Sequence, residues 1–151
     1  MKRIFALCIL VSATLFVHSQ SVIGFWQEKT PEVTDGYLNT YEFNNDGTFT
    51  FSTNQYFGLS RIINLGGTYK MKKDTLFLTV QYTTELVGGT IERSKESGTA
   101  TNLWTIAGAK SKRINLPEVV HTTIQVEFQK SNIADSQLVL FDKTKYYKIE
   151  K

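Results

Sequence analysis

Few side chains in this sequence have the types that catalysis needs, and their scatter argues against it. Beyond the first twenty residues the only histidine is His121, and the only cysteine of the chain, Cys8, lies within those twenty. His121 could serve as a general base or an axial haem ligand; the plainer reading is an ordinary histidine at the start of a strand. A zinc site asks for three or four converging Cys, His or carboxylate ligands, which one histidine and no cysteine do not supply. Asp35, Asp46, Asp74, Asp135 and Asp142 each fall in a predicted turn, where an aspartate caps backbone groups. Neither a Gly-x-Ser-x-Gly elbow nor a phosphate-cradling glycine loop occurs. The expectation is a protein that is not an enzyme and needs no metal or cofactor.

The chemistry these residues do offer is apolar recognition. Aromatics make up 13% of the chain, and many recur at every second position. Tyr41, Phe43, Phe49, Phe51, Tyr69, Met71, Leu78, Val80, Tyr82 and Trp104 are the candidates to line one cavity, with tyrosine hydroxyls to orient a guest. The same residues could instead fill a solid core. A basic run, Lys110, Lys112 and Arg113, could hold an anionic head group or simply be solvated, and Glu28 and Glu32 read as rim residues.

Period two is the spacing of a half-buried strand, so strands must position these side chains. The stretch "YEFNNDGTFTFS" (41–52) is the clearest hairpin, turning at Asn44–Gly47. "GTYKMKKDTLFLTVQY" turns at Lys72–Asp74 and sets Leu76, Leu78, Val80 and Tyr82 on one face. "TIERSKESGTATNLWTI" is a more polar pair turning near Glu96–Gly98. "TTIQVEFQK" alternates Ile124, Val126 and Phe128 inward with Gln125, Glu127 and Gln129 outward, and "SQLVLFDKTKYYKIE" is a last hairpin turning at Asp142–Thr144. Two segments break the rhythm, 53–65 and 107–119, and read as irregular excursions at one end of a sheet. No sustained helical periodicity follows residue 20. Eight to ten short hairpin-linked strands predict an all-β, antiparallel up-and-down barrel rather than a sandwich, because near-continuous hairpins favour the meander.

The chain has 151 residues, enough for one domain. "MKRIFALCILVSATLFVHS" has the parts of a secretory signal: Lys2 and Arg3, an apolar run too short for a span, and small or acceptable residues before a cleavage site at Ser19/Gln20. Leu7 before Cys8 is not a lipobox. The expected layout is a signal peptide at 1–19 and one barrel domain at 20–151, secreted or periplasmic. Of 17 basic residues, two leave with the signal, so the mature chain is nearly balanced against its 14 acidic ones. No global field draws it to nucleic acid, and no insertion of the mature chain into a membrane is expected.

Near the mature N-terminus stands "VIGFWQEK", and it resembles the Gly-x-Trp opening, here Gly24 and Trp26, of lipocalins and small bacterial lipocalin-like domains. The ordered hairpins Phe43–Phe51, Gly67–Leu78 and Leu138–Lys151 resemble the same family over nearly the whole mature chain. The resemblance implies a barrel closed at one end, where the tryptophan's counterpart forms a plug under a basic side chain of the last strand, for which Lys148 and Lys151 are candidates. It also implies non-covalent binding of a small apolar or amphipathic ligand inside the barrel. The alternative is a protein-interaction module with a filled barrel, whose anchors would be Tyr56, Phe57, Leu59 and Ile62.

Overall fold

The computed structural model describes residues 21–32, 38–54, 58–93, 104–133 and 136–150, so the expected signal peptide at 1–19 and the expected turn near Glu96–Gly98 lie outside the described residues. The described chain holds ten strands and no helix: β1 (Gly24–Glu28), β2 (Thr40–Phe43), β3 (Thr48–Ser52), β4 (Ile62–Lys72), β5 (Thr75–Val87), β6 (Thr90–Arg93), β7 (Trp104–Ala107), β8 (Lys110–Gln129), β9 (Leu138–Phe141) and β10 (Thr144–Ile149). Eight of them form a closed antiparallel ring in the order β1-β10-β9-β8-β5-β4-β3-β2, while β6 and β7 form a separate two-stranded ribbon between β5 and β8. Apart from the β6–β7 excursion, which leaves β5 paired with β8, sequence neighbours are spatial neighbours as the meander requires, and pairing of β1 with β10 closes the ring through Phe25↔Ile149 and Trp26↔Lys148.

The hairpins form where turn chemistry allows them. Between β2 and β3 the Asp46 carboxylate accepts from the Thr48 amide (2.9 Å) and hydroxyl (2.6 Å), and Gly47 takes a φ of 81°. Those Thr48 bonds hold the Asp46 carboxyl below its ordinary range. Between β9 and β10, Asp142 and Lys143 both sit at positive φ, the backbone of a tight hairpin turn. Inward positions then build one core: Trp26, Phe43, Phe49, Leu76, Leu78, Val80, Ile124, Val126, Val139, Phe141 and Tyr146 are all buried.

Both segments read as irregular are partly strand. β4 begins at Ile62, inside 53–65, and β8 takes in nearly all of 107–119. Pro117 suggested a loop because it cannot donate to a ladder. It is accommodated at a bulge: Val80 pairs with Val120 but Tyr82 pairs with Asn115, so residues 116–119 of β8 face the single residue Gln81 of β5. β8 is also an edge there, where proline is tolerated. β9 meets β8 only over Val126–Gln129, and Asp142 caps the end of that pairing by accepting from the Gln125 amide at 2.8 Å.

Gln81 is an extra residue against β4 as well, since Gly66 pairs with Tyr82 and Gly67 with Val80. The strands approach so closely at this irregularity that a Cβ on Gly67 would lie 1.9 Å from the Thr79 carbonyl oxygen. The extra residue also inverts the alternation of β5: Leu76, Leu78 and Val80 are buried before it, Thr83 after it.

Candidate functional site

Eight of the ten candidate lining residues converge. Phe43, Phe49, Leu78 and Val80 are core residues, and Tyr41, Phe51, Tyr69 and Met71 pack against them. Rings from different strands touch: the Tyr41 centroid lies 4.6 Å from Phe51, 5.2 Å from Phe141 and 5.4 Å from Tyr146, and Phe43 lies 4.9 Å from Tyr69 and 5.8 Å from Phe141. Such edge and tilted pairs each add about 0.5–1.5 kcal/mol beyond the area they bury. At this level the barrel interior is occupied by its own side chains.

The other two candidates lie elsewhere. After the Gln81 bulge Tyr82 leaves the inward stripe; its ring lies across Gly66, with its hydroxyl 3.5 Å from the Thr50 hydroxyl and the Arg113 guanidinium 3.5 Å from its centroid. Trp104 is half-exposed on β7, with Arg93 5.7 Å from its ring.

At one end of the ring the interior is filled around Trp26, and the surface there holds an open hollow of about 320 Å³ beside Gly24, Phe43 and Lys148. Trp26 is fully buried, donates its indole N–H to the Val22 carbonyl at 2.6 Å, and meets Phe128 and Phe141 edge-on at 6.5 and 6.1 Å. The Lys148 ammonium lies 5.7 Å from the Trp26 ring centroid. Its stem can reach there because residue 24 is glycine: at a φ of 128°, a Cβ would stand 2.6 Å from Lys148 Cε. Gly24, Trp26 and Lys148 therefore form one physical unit, the glycine making room for the cation that covers the plug.

The opposite end is built differently. Here the β3–β4 connection, the end of β5 and the ribbon border a half-open cavity of about 240 Å³, lined by Thr53, Asn54, Gly58, Ser60, Ile62, Ile63, Leu86 and Thr105. Hydrogen bonds fix its walls. Thr53 donates its hydroxyl toward the Ile62 and Ile63 carbonyls (2.9 and 3.1 Å), and Arg61 donates to the Leu86 and Gly88 carbonyls, both at 3.0 Å. Asn39 ties this rim together, donating to Glu28 at 2.6 Å and accepting from the Asn54 amide at 2.9 Å. Three aliphatic side chains beside hydroxyl and amide groups make a lining that suits an amphipathic guest. A larger open groove of about 530 Å³ runs outside the ring beside the β9–β10 turn, among Asp74, Gln125, Glu127, Asp142 and Lys143.

Sequence reading missed Thr53, Ile63, Leu86 and Asn39, which carry no alternation or motif of their own. It also missed Gln27, a fully buried amide on β1 that donates to the Thr30 and Glu32 carbonyls at 2.9 and 2.5 Å and so folds the start of the β1–β2 connection. Arg113 stands over Tyr82 on the outside, Lys110 and Lys112 are exposed on β8, and Glu28 sits on the rim with Lys29 at 3.3 Å. His121 is exposed in the middle of β8, its Nδ1 3.1 Å from the Thr79 hydroxyl. Among the described residues no group of three or more His, Cys, Asp or Glu side chains could hold a metal ion.

Burial has one titration consequence. It raises the Tyr41 phenol to about 12, with the Asp142 charge adding to it, and raises Tyr146 as well, with Tyr41 and Glu28 as lesser causes. Both groups keep their protons in the folded state after the unfolded chain has begun to lose them near pH 10. Stability from this source is whole below pH 10 and falls as pH rises through the folded values. We expect unfolding on the alkaline side to coincide with a step in tyrosinate absorbance at 295 nm, and Tyr41→Phe to move that unfolding to higher pH.

Comparison with protein-family models, with curated proteins and with solved structures gives no match for this chain.

Proposed function

We propose that this chain is a non-catalytic binding protein, secreted or periplasmic after loss of its leader, which takes a small apolar or amphipathic ligand at the open end of a lipocalin-like barrel. The observation that carries the reading is the cavity of about 240 Å³ with aliphatic and hydroxyl lining at the end opposite Trp26; the hollow beside Gly24 and Lys148, about 320 Å³, is more open to solvent and lies over a filled interior. The volume is somewhat below the roughly 300 Å³ at which drug-sized pockets begin, so the ligand is small. Apolar burial supplies affinity at about 25 cal/mol per Å², less the cost of ordering, and the Thr53 and Ser60 hydroxyls orient the polar end. The reading needs neither proton transfer nor metal.

Native mass spectrometry of protein purified from its own source tests it. The expected result is a retained small mass, or binding of short amphiphiles from a panel, lost in an Ile63→Trp variant that fills the cavity while keeping its strand circular dichroism. An empty protein that ignores the panel would contradict it.

A second reading, a filled barrel that contacts another protein, is favoured by the ring packing of the interior and by half-exposed Leu59 and Ile62, 46% and 42% accessible. Tyr56 and Phe57, its other anchors, lie outside the described residues.

A further inference from the structure

The ribbon of β6 and β7 presents its apolar face the wrong way for a folded core. Ile91 pairs with Ile106 and Arg93 with Trp104, so these four side chains share one face of the ribbon, since directly opposed residues point to the same side. Glu92 pairs with Thr105 on the other face, and Thr105 lines the cavity beside Gly58 and Leu86. The Thr105 face is therefore turned toward the barrel, and the face with Ile91 and Trp104 is turned away from it.

Ile91 is 59% accessible and Trp104 46%. The neighbouring surface continues the pattern. The β7 backbone at Trp104 lies against Gly58, next to Leu59, which is half-exposed. Val87, at the root of the ribbon, is half-exposed opposite Lys110. A two-stranded ribbon is at best marginally stable alone in water, and this one leaves Ile91 and Trp104 exposed, with Ile106 half-buried beside them.

Charge decides what covers them. Arg93 lies on the apolar face itself, 5.7 Å from the Trp104 ring, and Lys110 and Lys112 are exposed at the start of β8, across from Val87 and Glu85 at the root of the ribbon. Among the described residues, Glu92 is on the opposite face of the ribbon and Glu85 stands across from Lys112 on β8, so Arg93 and Lys110 remain as cations with no acidic group opposite them in register. Tryptophan with aliphatic neighbours and a fringe of cations is the composition that seats at the boundary between lipid head groups and acyl chains. The same cations disfavour pairing with a second copy of this surface. We propose that the ribbon face bearing Ile91 and Trp104, together with Leu59, docks on an anionic lipid surface, with Ile91 and Trp104 entering the head-group region and Arg93 and Lys110 meeting lipid phosphates. This is a peripheral contact, in which no strand crosses the bilayer. It holds whether or not the adjacent cavity binds a ligand, because the ligand test above is read in lipid-free solution.

The test is flotation with phosphatidylcholine vesicles and with vesicles containing 30% phosphatidylglycerol, read together with tryptophan emission. The chain has two tryptophans, and Trp26 is fully buried, so any lipid-induced change reports Trp104. The expected result is binding to the anionic vesicles with a blue shift, weakened by salt. Arg93→Ala should weaken it about fivefold, and paired Ile91→Ser and Trp104→Ser about tenfold or more, with thermal unfolding unchanged. Absence of flotation, equal binding to neutral vesicles, or binding undiminished in the paired variant would overturn the proposal. So would a self-association in lipid-free solution that the paired variant abolishes.

Discussion

Trp26→Ala should lower the free energy of unfolding by about 3–5 kcal/mol, the range for deleting a large buried aromatic. Small domains have only about 5–15 kcal/mol in total, so much of the protein would be unfolded at moderate temperature. The loss has identifiable parts. The substitution removes the edge contacts to Phe128 and Phe141, orphans the Val22 carbonyl that accepts the indole N–H, and strips the Lys148 ammonium of the ring beneath it. The ring is fully buried, so little rearrangement can refill its volume. Urea unfolding followed by far-ultraviolet circular dichroism measures the effect. A midpoint within error of the parent would show that Trp26 does not fill the interior at its end of the ring.

Gly67→Ala should be nearly as damaging, although it adds a single methyl group. The new Cβ would have to occupy a point 1.9 Å from the Thr79 carbonyl oxygen and 3.0 Å from the Gln81 nitrogen, both backbone atoms of β5. No side chain can swing aside, so β4 and β5 must separate at the bulge. Overpacking of this kind costs about 1–3 kcal/mol and can exceed it where backbone must move. Gly88→Ala is the control: its φ is 75°, but a Cβ there meets nothing within 4 Å, so only the roughly 1 kcal/mol backbone penalty remains. Comparable losses in the two variants would show that the close approach of β4 and β5 does not exist.

How much of this was legible in the sequence follows from the range of the forces involved. Turns are local, so the connections at 44–47, 73–74 and 142–143 could be read from their Asn, Asp and Gly residues, and the alternation of Ile124, Val126 and Phe128 was enough to place β8's buried end. Bulges are properties of two strands at once. Nothing within "LFLTVQY" signals that Gln81 is an extra residue, so counting by twos carried Tyr82 inward when the fold turns it out over Gly66. Pro117 and the cations around it resemble a loop because edge strands use those residues to discourage pairing. Trp104 was expected inside because large aromatics usually are; whether a ribbon's apolar face meets the barrel or the solvent depends on how the ribbon folds back, which Gly58 and Thr105 determine through contacts distant in sequence. The cavity was illegible for the same reason, since its walls come from the β3–β4 connection, the end of β5 and the ribbon.

The account rests on closure of the ring between β1 and β10, which joins the first and last strands of the described residues. Amide hydrogen exchange followed by NMR tests this most directly. The amides of β1 and β10 that lie between paired strands should exchange as slowly as those of β4 and β5, at rates set by global unfolding. Exchange at unprotected rates throughout 25–27 and 146–148, while β4 and β5 remain protected, would show an open sheet and contradict the account.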